Sequence, residues 1–182
     1  MYLLAYLIFQ TGNFEAISFF GTWFSLDFHL GVREIGSAMM VLGVGNAIGS
    51  LFGSPLIRRV GQNRSLLLAI LLLSALYCVL PFSPNLPTAL GVLLLIMMAA
   101  GFVFPIFIST LQAQTQVARG TVSSLANAAV YVGTTIGGVV GGILLSRAQG
   151  FFGVTTFTIL CYLAALSVCA WAGAFRSVRI GK

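Results

Sequence analysis

Six long apolar stretches dominate the chain and are separated by short polar segments. Each stretch is close to the ~20 residues that an α-helix needs to cross a bilayer. The stretches cover approximately residues 2–26, 35–57, 65–82, 88–111, 123–146 and 151–175. Transmembrane β-strands would instead be segments of about ten residues with alternating polarity. The pattern therefore predicts an all-α, polytopic membrane protein, with one bundle of six transmembrane helices over residues 1–182.

The composition supports a protein embedded in a lipid bilayer. Hydrophobic residues make up 59% of the chain and charged residues 7%, and the mean hydropathy is +1.05. Soluble domains carry roughly 25% charged residues. No loop is long enough to hold a soluble domain. The sequence contains no nucleotide-binding loop, nucleophile elbow or metal-ligand cluster, so we expect neither an enzyme nor a cofactor or metal site.

The basic residues predict the orientation of the bundle, because loops rich in Lys and Arg stay in the cytoplasm. If the chain crosses the membrane six times, seven of the nine basic residues lie on the same side. These are Arg58, Arg59, Arg64, Arg119, Arg176, Arg179 and Lys182, against Arg33 and Arg147 on the other side. Both termini are therefore expected in the cytoplasm and the protein in the plasma membrane, the inner membrane of a bacterium. The net charge of +6 then needs no nucleic-acid partner.

The first stretch differs from the others because polar residues interrupt its middle. Gln10 and Asn13 are three apart and share a helical face, whereas Glu15 points to another one. An acid at bilayer depth is costly to bury, so it is by default a candidate functional group. The alternative is a structural carboxyl that is protonated or hydrogen-bonded to a neighbour such as Asn13 or Thr22. The residues themselves leave both readings open.

The segment after the second stretch carries a pattern of basic residues around a glycine. Residues 53–64 read GSPLIRRVGQNR, which resembles the G-x-L-A-D-R-x-G-R-R pattern of the major facilitator superfamily. Alignment on Gly61 places Leu56 and Arg59 on the leucine and arginine of that pattern, with Arg64 one place beyond its final basic pair. The departures are Ser54, Arg58, Gln62 and Asn63.

Elementary chemistry gives this segment two possible roles. A glycine at position 61 permits a tight turn between two helices, and arginines can bind the exposed carbonyl groups at helix C-termini. The segment could therefore latch helices together on the cytoplasmic side. Alternatively, Arg58, Arg59 and Arg64 only set the membrane topology.

Glycines recur at intervals of three and four in two of the stretches, a spacing that lets another helix approach closely. Residues 133–142 read GTTIGGVVGG. This resembles the G-x-x-x-G-P-x-x-G-G signature in the fifth helix of the drug:proton antiporter branch, with Gly138 in place of the proline. The predicted packing glycines are Gly133, Gly137, Gly138, Gly141 and Gly142 in the fifth stretch and Gly45, Gly49 and Gly53 in the second. Generic helix packing would explain the same spacing.

The resemblance covers nearly the whole chain and favours the C-terminal six-helix half of a twelve-helix transporter. It implies proton-coupled efflux of a small molecule, a drug or a sugar, by alternating access between two halves. The second half would be covalently attached or supplied by a second copy. In this reading the first helix lines the central cavity, where Glu15 titrates a proton or attracts a cation, and four polar residues line the same cavity: Gln10, Asn13, Asn127 and Tyr131. The rival hypothesis is a non-transporting six-helix subunit with an assembly or regulatory role.

Overall fold

The computed structural model describes residues 1–113, 119–147 and 151–172, with the backbone alone for residues 53–60 and for residue 119. Within these ranges the protein is all-helical, so the predicted fold class is confirmed. Six α-helices follow one another: α1 (Tyr2–Asp27), α2 (Val32–Val60), α3 (Gln62–Val79), α4 (Leu86–Ala113), α5 (Arg119–Arg147) and α6 (Phe152–Trp171). A short 3₁₀ helix (Leu80–Phe82) continues α3.

Five of the six helices are long and apolar enough to cross a membrane. The exception is α1, which has 26 residues but carries Gln10, Asn13 and Glu15 in its middle. Its length of roughly 39 Å, at 1.5 Å per residue, would still span the hydrocarbon core of about 30 Å. That α1 spans the membrane as a sixth segment therefore remains a prediction.

The helices α2 and α3 are separated by a single glycine rather than by the longer loop expected from the sequence. The backbone of α2 continues through Val60, and α3 begins at Gln62. Between them Gly61 adopts φ +88°, a left-handed conformation that a residue with a Cβ adopts only at a cost. Arg58 and Arg59 therefore belong to the last turn of α2, and the direction of the chain changes at Gly61.

Two interlocked groups of three helices form the bundle. The first helix of each group packs against the second and third helices of the other: α1 lies against α5 and α6, and α4 lies against α2 and α3. Aromatic side chains join the groups at the centre, where the ring of Phe107 lies 5.4 Å from that of Tyr6 and 5.2 Å from that of Phe9. The ring of Phe9 also stacks on that of Tyr162 over 4.8 Å. This centre fixes α1 beside α4 and α6.

The least buried helices are α2 and α5. In the most apolar 18-residue segment of each of these helices, 22% of the residues are buried inside the bundle, whereas the share in α4 is 50%. Each makes its main contact with one neighbour, α4 and α1 respectively. Their remaining surfaces are consequently available to lipid or to further protein.

Candidate functional site

The carboxyl group of Glu15 is enclosed by α1, α5 and α6. The residue is 0% exposed, and its Oε2 accepts a hydrogen bond of 2.9 Å from Thr158 Oγ1. Within the described residues its Oε1 has no hydrogen-bond partner. The same hydroxyl lies 3.0 Å from the carbonyl oxygen of Val154 and 3.3 Å from that of Gly12. Since a hydroxyl donates one hydrogen, Glu15 shares its donor with two competing acceptors.

The other two acids of the chain are satisfied locally, at the turn between α1 and α2. Trp23 Nε1 donates to Asp27 Oδ2 over 2.7 Å. The backbone N–H of Gly31 donates to Glu34 Oε2 over 2.9 Å, a helix-capping contact at the start of α2. Asp27 and Glu34 are both exposed. Glu15 is therefore the one acid of the three that is buried, and one of its oxygens has no hydrogen-bond partner within the described residues.

A glycine face of α5 allows Glu15 to be enclosed so closely. A Cβ added at Gly137 would lie 2.6 Å from the Thr11 carbonyl oxygen and 2.9 Å from Glu15 Cβ. A Cβ at Gly133 would meet the Thr11 backbone nitrogen at 3.0 Å, and one at Gly141 would lie 2.8 Å from Glu15 Cγ. Gly138 faces open space, and Gly142 would make only an ordinary contact with Phe19. The close contact with α1 thus involves three of the five glycines of residues 133–142.

Glycines of α2 make the matching contact with α4. A Cβ at Gly45 would lie 2.6 Å from Leu94 Cδ1, and one at Gly49 would overlap the Met98 carbonyl group. On the partner helix, a Cβ at Gly101 would overlap the backbone of Asn46. The side chains around Gly53 lie outside the described residues. Small residues on both helices bring these two backbones together.

A pocket of about 290 Å³ opens between α1, α2 and α4. Aromatic and aliphatic side chains form most of its wall, and three amide side chains contribute the polar groups. The lining residues are Phe9, Gln10, Asn13, Phe14, Ile17, Asn46, Met97, Ala100 and Phe104. Within the described part of the chain, this wall is uncharged. Apolar walls with a few placed polar groups are typical of small-molecule sites.

Hydrogen bonds to neighbouring residues hold the three amides in place. Tyr162 donates its hydroxyl to Asn13 Oδ1 over 3.2 Å, and Gln10 Nε2 donates to the Tyr6 hydroxyl over 3.1 Å. Asn46 Nδ2 donates to the Met97 carbonyl over 3.2 Å. These bonds engage the carbonyl oxygen of Asn13 and an N–H of Gln10 and of Asn46, and each amide carries further donor or acceptor groups beside them.

The polar residues that the sequence assigns to one cavity do not all line this pocket. Gln10 and Asn13 line the pocket, but Glu15 points away from it toward α5 and α6. Asn127 is exposed, and Tyr131 is 74% exposed. Both lie on α5, which contributes nothing to the described lining of this pocket. The glycine face of α5 turns toward α1, and Asn127 and Tyr131 lie outside this face, on the exposed surface of α5.

Four residues that hold the site together were not among the predicted ones. They are Tyr6, Asn46, Thr158 and Tyr162. Asn46 lies in the middle of an apolar stretch, so the rule that singled out Glu15 could have found it. Thr158 and Tyr162 are four apart and share a helical face, but their partners lie 143 and 149 positions away.

The proline of α4 leaves one carbonyl group without its helical partner, and α2 supplies the missing donor. Pro105 has no N–H, so the carbonyl of Gly101, four residues earlier, lacks its usual bond. Ser50 Oγ lies 3.1 Å from this oxygen. It is also 3.1 Å from the Asn46 carbonyl oxygen of its own helix. Ser50 and Asn46 thus contact the segment of α4 that precedes Pro105, beside the pocket.

The basic segment is only partly described. The side chains of Leu56, Arg58 and Arg59 lie outside the described residues, and Arg64 is exposed. Among the described contacts of this segment is that of Gln62, which stands in place of a basic residue of the family pattern. Its Nε2 lies 2.7 Å from Thr110 Oγ1 and 2.9 Å from Ser109 Oγ. Hydrogen bonds from the Gln62 amide therefore link α3 to α4, and the proposed role of the arginines stays a prediction.

Comparison with known proteins identifies the family of this chain. The family model of the Major Facilitator Superfamily matches residues 2–179. The chain belongs to the major facilitator superfamily. Its interlocked groups of three helices agree with this assignment, because each half of these transporters is built from two inverted three-helix repeats. Residues 2–179 thus form part of an integral membrane protein of a transporter family, not of an enzyme family.

One curated relative shows how the chain compares in length. The chain is 45% identical over 166 residues to the uncharacterized MFS-type transporter YceJ of Bacillus subtilis (strain 168). The match covers 91% of this chain and 43% of the relative. The chain therefore spans less than half the length of the relative that it matches.

Proposed function

We propose that the chain forms one six-helix half of a twelve-helix transporter that moves a small molecule across the membrane by alternating access. The observation that carries the proposal is the pocket between α1, α2 and α4, with its three oriented amides. In transporters of this family, substrate binds near the bilayer midplane between two halves. The pocket would then be one wall of the substrate path, contributed by the C-terminal half.

The pocket wall indicates the chemistry of the substrate. Aromatic rings of Phe14 and Phe104 offer flat apolar surfaces, and Asn13 and Asn46 offer a donor and an acceptor. No charged side chain from the described residues lines it. A neutral or weakly charged molecule with an apolar ring and hydrogen-bonding substituents fits this wall better than a multiply charged one, since buried charges require partners.

Glu15 is our candidate for the coupling of transport to protons, in the direction of efflux. It lies on the same helix as Asn13, two residues further on, and contacts α5 and α6 instead of the pocket. A movement of α1 would therefore change the surroundings of Glu15 and the position of Asn13 together. Such a shared element is what couples two sites energetically. Asn127 and Tyr131, on the exposed side of α5, would face the second half, whether covalent or a second copy.

We propose further that both termini lie in the cytoplasm and that the protein belongs to the bacterial inner membrane. The basic residues of the sequence support this orientation. Arg64, beside the turn at Gly61, would mark the cytoplasmic side. Arg33 and Arg147, at the start of α2 and the end of α5, would lie on the outside.

Substitution of the pocket amide Asn13 tests the proposed site. Drug-like dyes and sugars are screened in proteoliposomes of the intact protein for transport that collapses with the pH gradient. For a transported compound we expect Asn13→Ala to raise the apparent KM about tenfold, the cost of one to two hydrogen bonds. The matched control is Asn85→Ala, at an exposed asparagine of the turn before α4. An unchanged KM in Asn13→Ala would show that the pocket is not part of the substrate path. If the unsubstituted protein transports none of the screened compounds, the proposed function is contradicted.

A further inference from the structure

We propose that a second, apolar groove between α3 and α4 binds one phospholipid with an anionic headgroup. The acyl chain would lie in the groove, and the ester and phosphate groups would meet Ser65 and Arg64 at its end. The groove shares no lining residue with the pocket between α1, α2 and α4. The inference is therefore independent of the proposed transport activity.

The groove has the size and surface of an acyl-chain site. It encloses about 430 Å³ and is lined on the α3 side by Leu68, Leu72 and Leu76. From Ser65 to Leu76 it extends roughly 16 Å along α3, at 1.5 Å per residue. One leaflet supplies about half of the ~30 Å hydrocarbon thickness. The groove thus covers the depth of one leaflet, which is the depth that a single phospholipid occupies.

One unpaired polar group lies at the end of this apolar surface. Ser65 lines the groove and is 2% exposed. Within the described residues its Oγ has no hydrogen-bond partner. A buried hydroxyl without a partner is costly, above all where no water is present. An ester carbonyl or phosphate oxygen of a lipid would accept the hydrogen bond that this hydroxyl can donate.

Positive charge lies next to the same end of the groove. Arg64 is exposed and directly precedes Ser65 in the first turn of α3. The sequence places Arg58 and Arg59 a few positions before it. Basic residues at a membrane surface attract anionic lipids. The combination of an apolar channel, a donor and positive charge matches phosphatidylglycerol better than a zwitterionic lipid, and better than an apolar helix of a second copy.

Native mass spectrometry of the intact protein, titrated with phosphatidylglycerol or phosphatidylcholine, tests this site. We expect one tightly bound phosphatidylglycerol and weaker binding of phosphatidylcholine. Ala69 lines the groove. The larger side chain of Ala69→Phe should occupy the space of the acyl chain and reduce phosphatidylglycerol binding about tenfold. Ala75→Phe, on the exposed side of the same helix, should leave binding unchanged.

A second variant keeps the test decisive if Ala69→Phe does not fold. Arg64→Gln changes an exposed residue and should weaken phosphatidylglycerol binding about fivefold, with little effect on phosphatidylcholine. Arg33→Gln removes the same charge at the distant start of α2 and should have no effect. Equal lipid binding by Arg64→Gln and Arg33→Gln would overturn the proposal. So would an Ala69→Phe protein that loses a dimer but keeps its lipid, since the groove would then be a protein interface.

Discussion

We expect the Glu15→Gln protein to lose proton-driven transport while it remains folded. Glutamine has nearly the same size and keeps an oxygen that can accept the hydrogen bond from Thr158, but it cannot exchange a proton. Accumulation driven by a pH gradient in proteoliposomes should fall about tenfold or more. Substrate exchange without a gradient should persist, because the pocket amides are untouched.

The Glu15→Gln variant also separates function from structure at this position. A purely structural carboxyl would be replaced by glutamine with little effect, since the hydrogen bond to Thr158 is retained. The matched control is Glu34→Gln, at an exposed acid whose capping contact an amide oxygen can reproduce. Undiminished pH-driven accumulation in Glu15→Gln would exclude Glu15 from coupling.

The second large effect is expected at Gly137 of α5, and the adjacent Gly138 provides the control. Gly137→Ala should destabilise the protein by about 1–3 kcal/mol, the usual cost of overpacking, because the new Cβ would meet the Thr11 carbonyl at 2.6 Å and Glu15 Cβ at 2.9 Å. Gly138→Ala meets open space and should be neutral or stabilise by up to about 1 kcal/mol through helix propensity. Thermal unfolding of the intact protein in detergent measures both.

The two alanine variants differ by one position, so lipid, detergent and expression affect them alike. The same comparison is possible in α2, where Gly49 contacts the Met98 backbone and Gly43 faces open space. Equal stability of Gly137→Ala and Gly138→Ala would show that the α1–α5 contact does not have the described closeness. It would also remove the enclosure from which the role of Glu15 is argued.

The sequence was sufficient for the parts of this structure that depend on local patterns. Apolar stretches of helical length predicted the all-α class, and the spacing of Gly133, Gly137 and Gly141 fits the close packing that the structure places against α1. The pattern could not say which helix each face would meet. The family resemblance grouped Gln10, Asn13 and Glu15 in one cavity, whereas the structure directs Glu15 toward α5 and α6.

Contacts between distant parts of the chain account for the rest. Sequence alignment treated Gln62 as a departure from the family pattern, yet its amide is the group that binds Thr110. The contact needs α3 and α4 to lie side by side, which no local pattern encodes. The same holds for Ser50, whose proximity to the Gly101 carbonyl compensates for Pro105 in another helix.

Alternating access predicts that the pocket between α1, α2 and α4 meets water from each side of the membrane in turn. Phe104 lines this pocket and is 47% exposed, whereas Leu160 of α6 is 60% exposed and is absent from the pocket wall. The exposed Cys78 is first replaced by serine in the intact protein. Phe104→Cys or Leu160→Cys is then introduced, and each variant is treated with a membrane-impermeant maleimide from one side of the membrane or the other. We predict labelling of Phe104→Cys from both sides, in a ratio that substrate changes, and no labelling of Leu160→Cys. A Phe104→Cys protein that is labelled from only one side, or from neither, would contradict alternating access at this pocket.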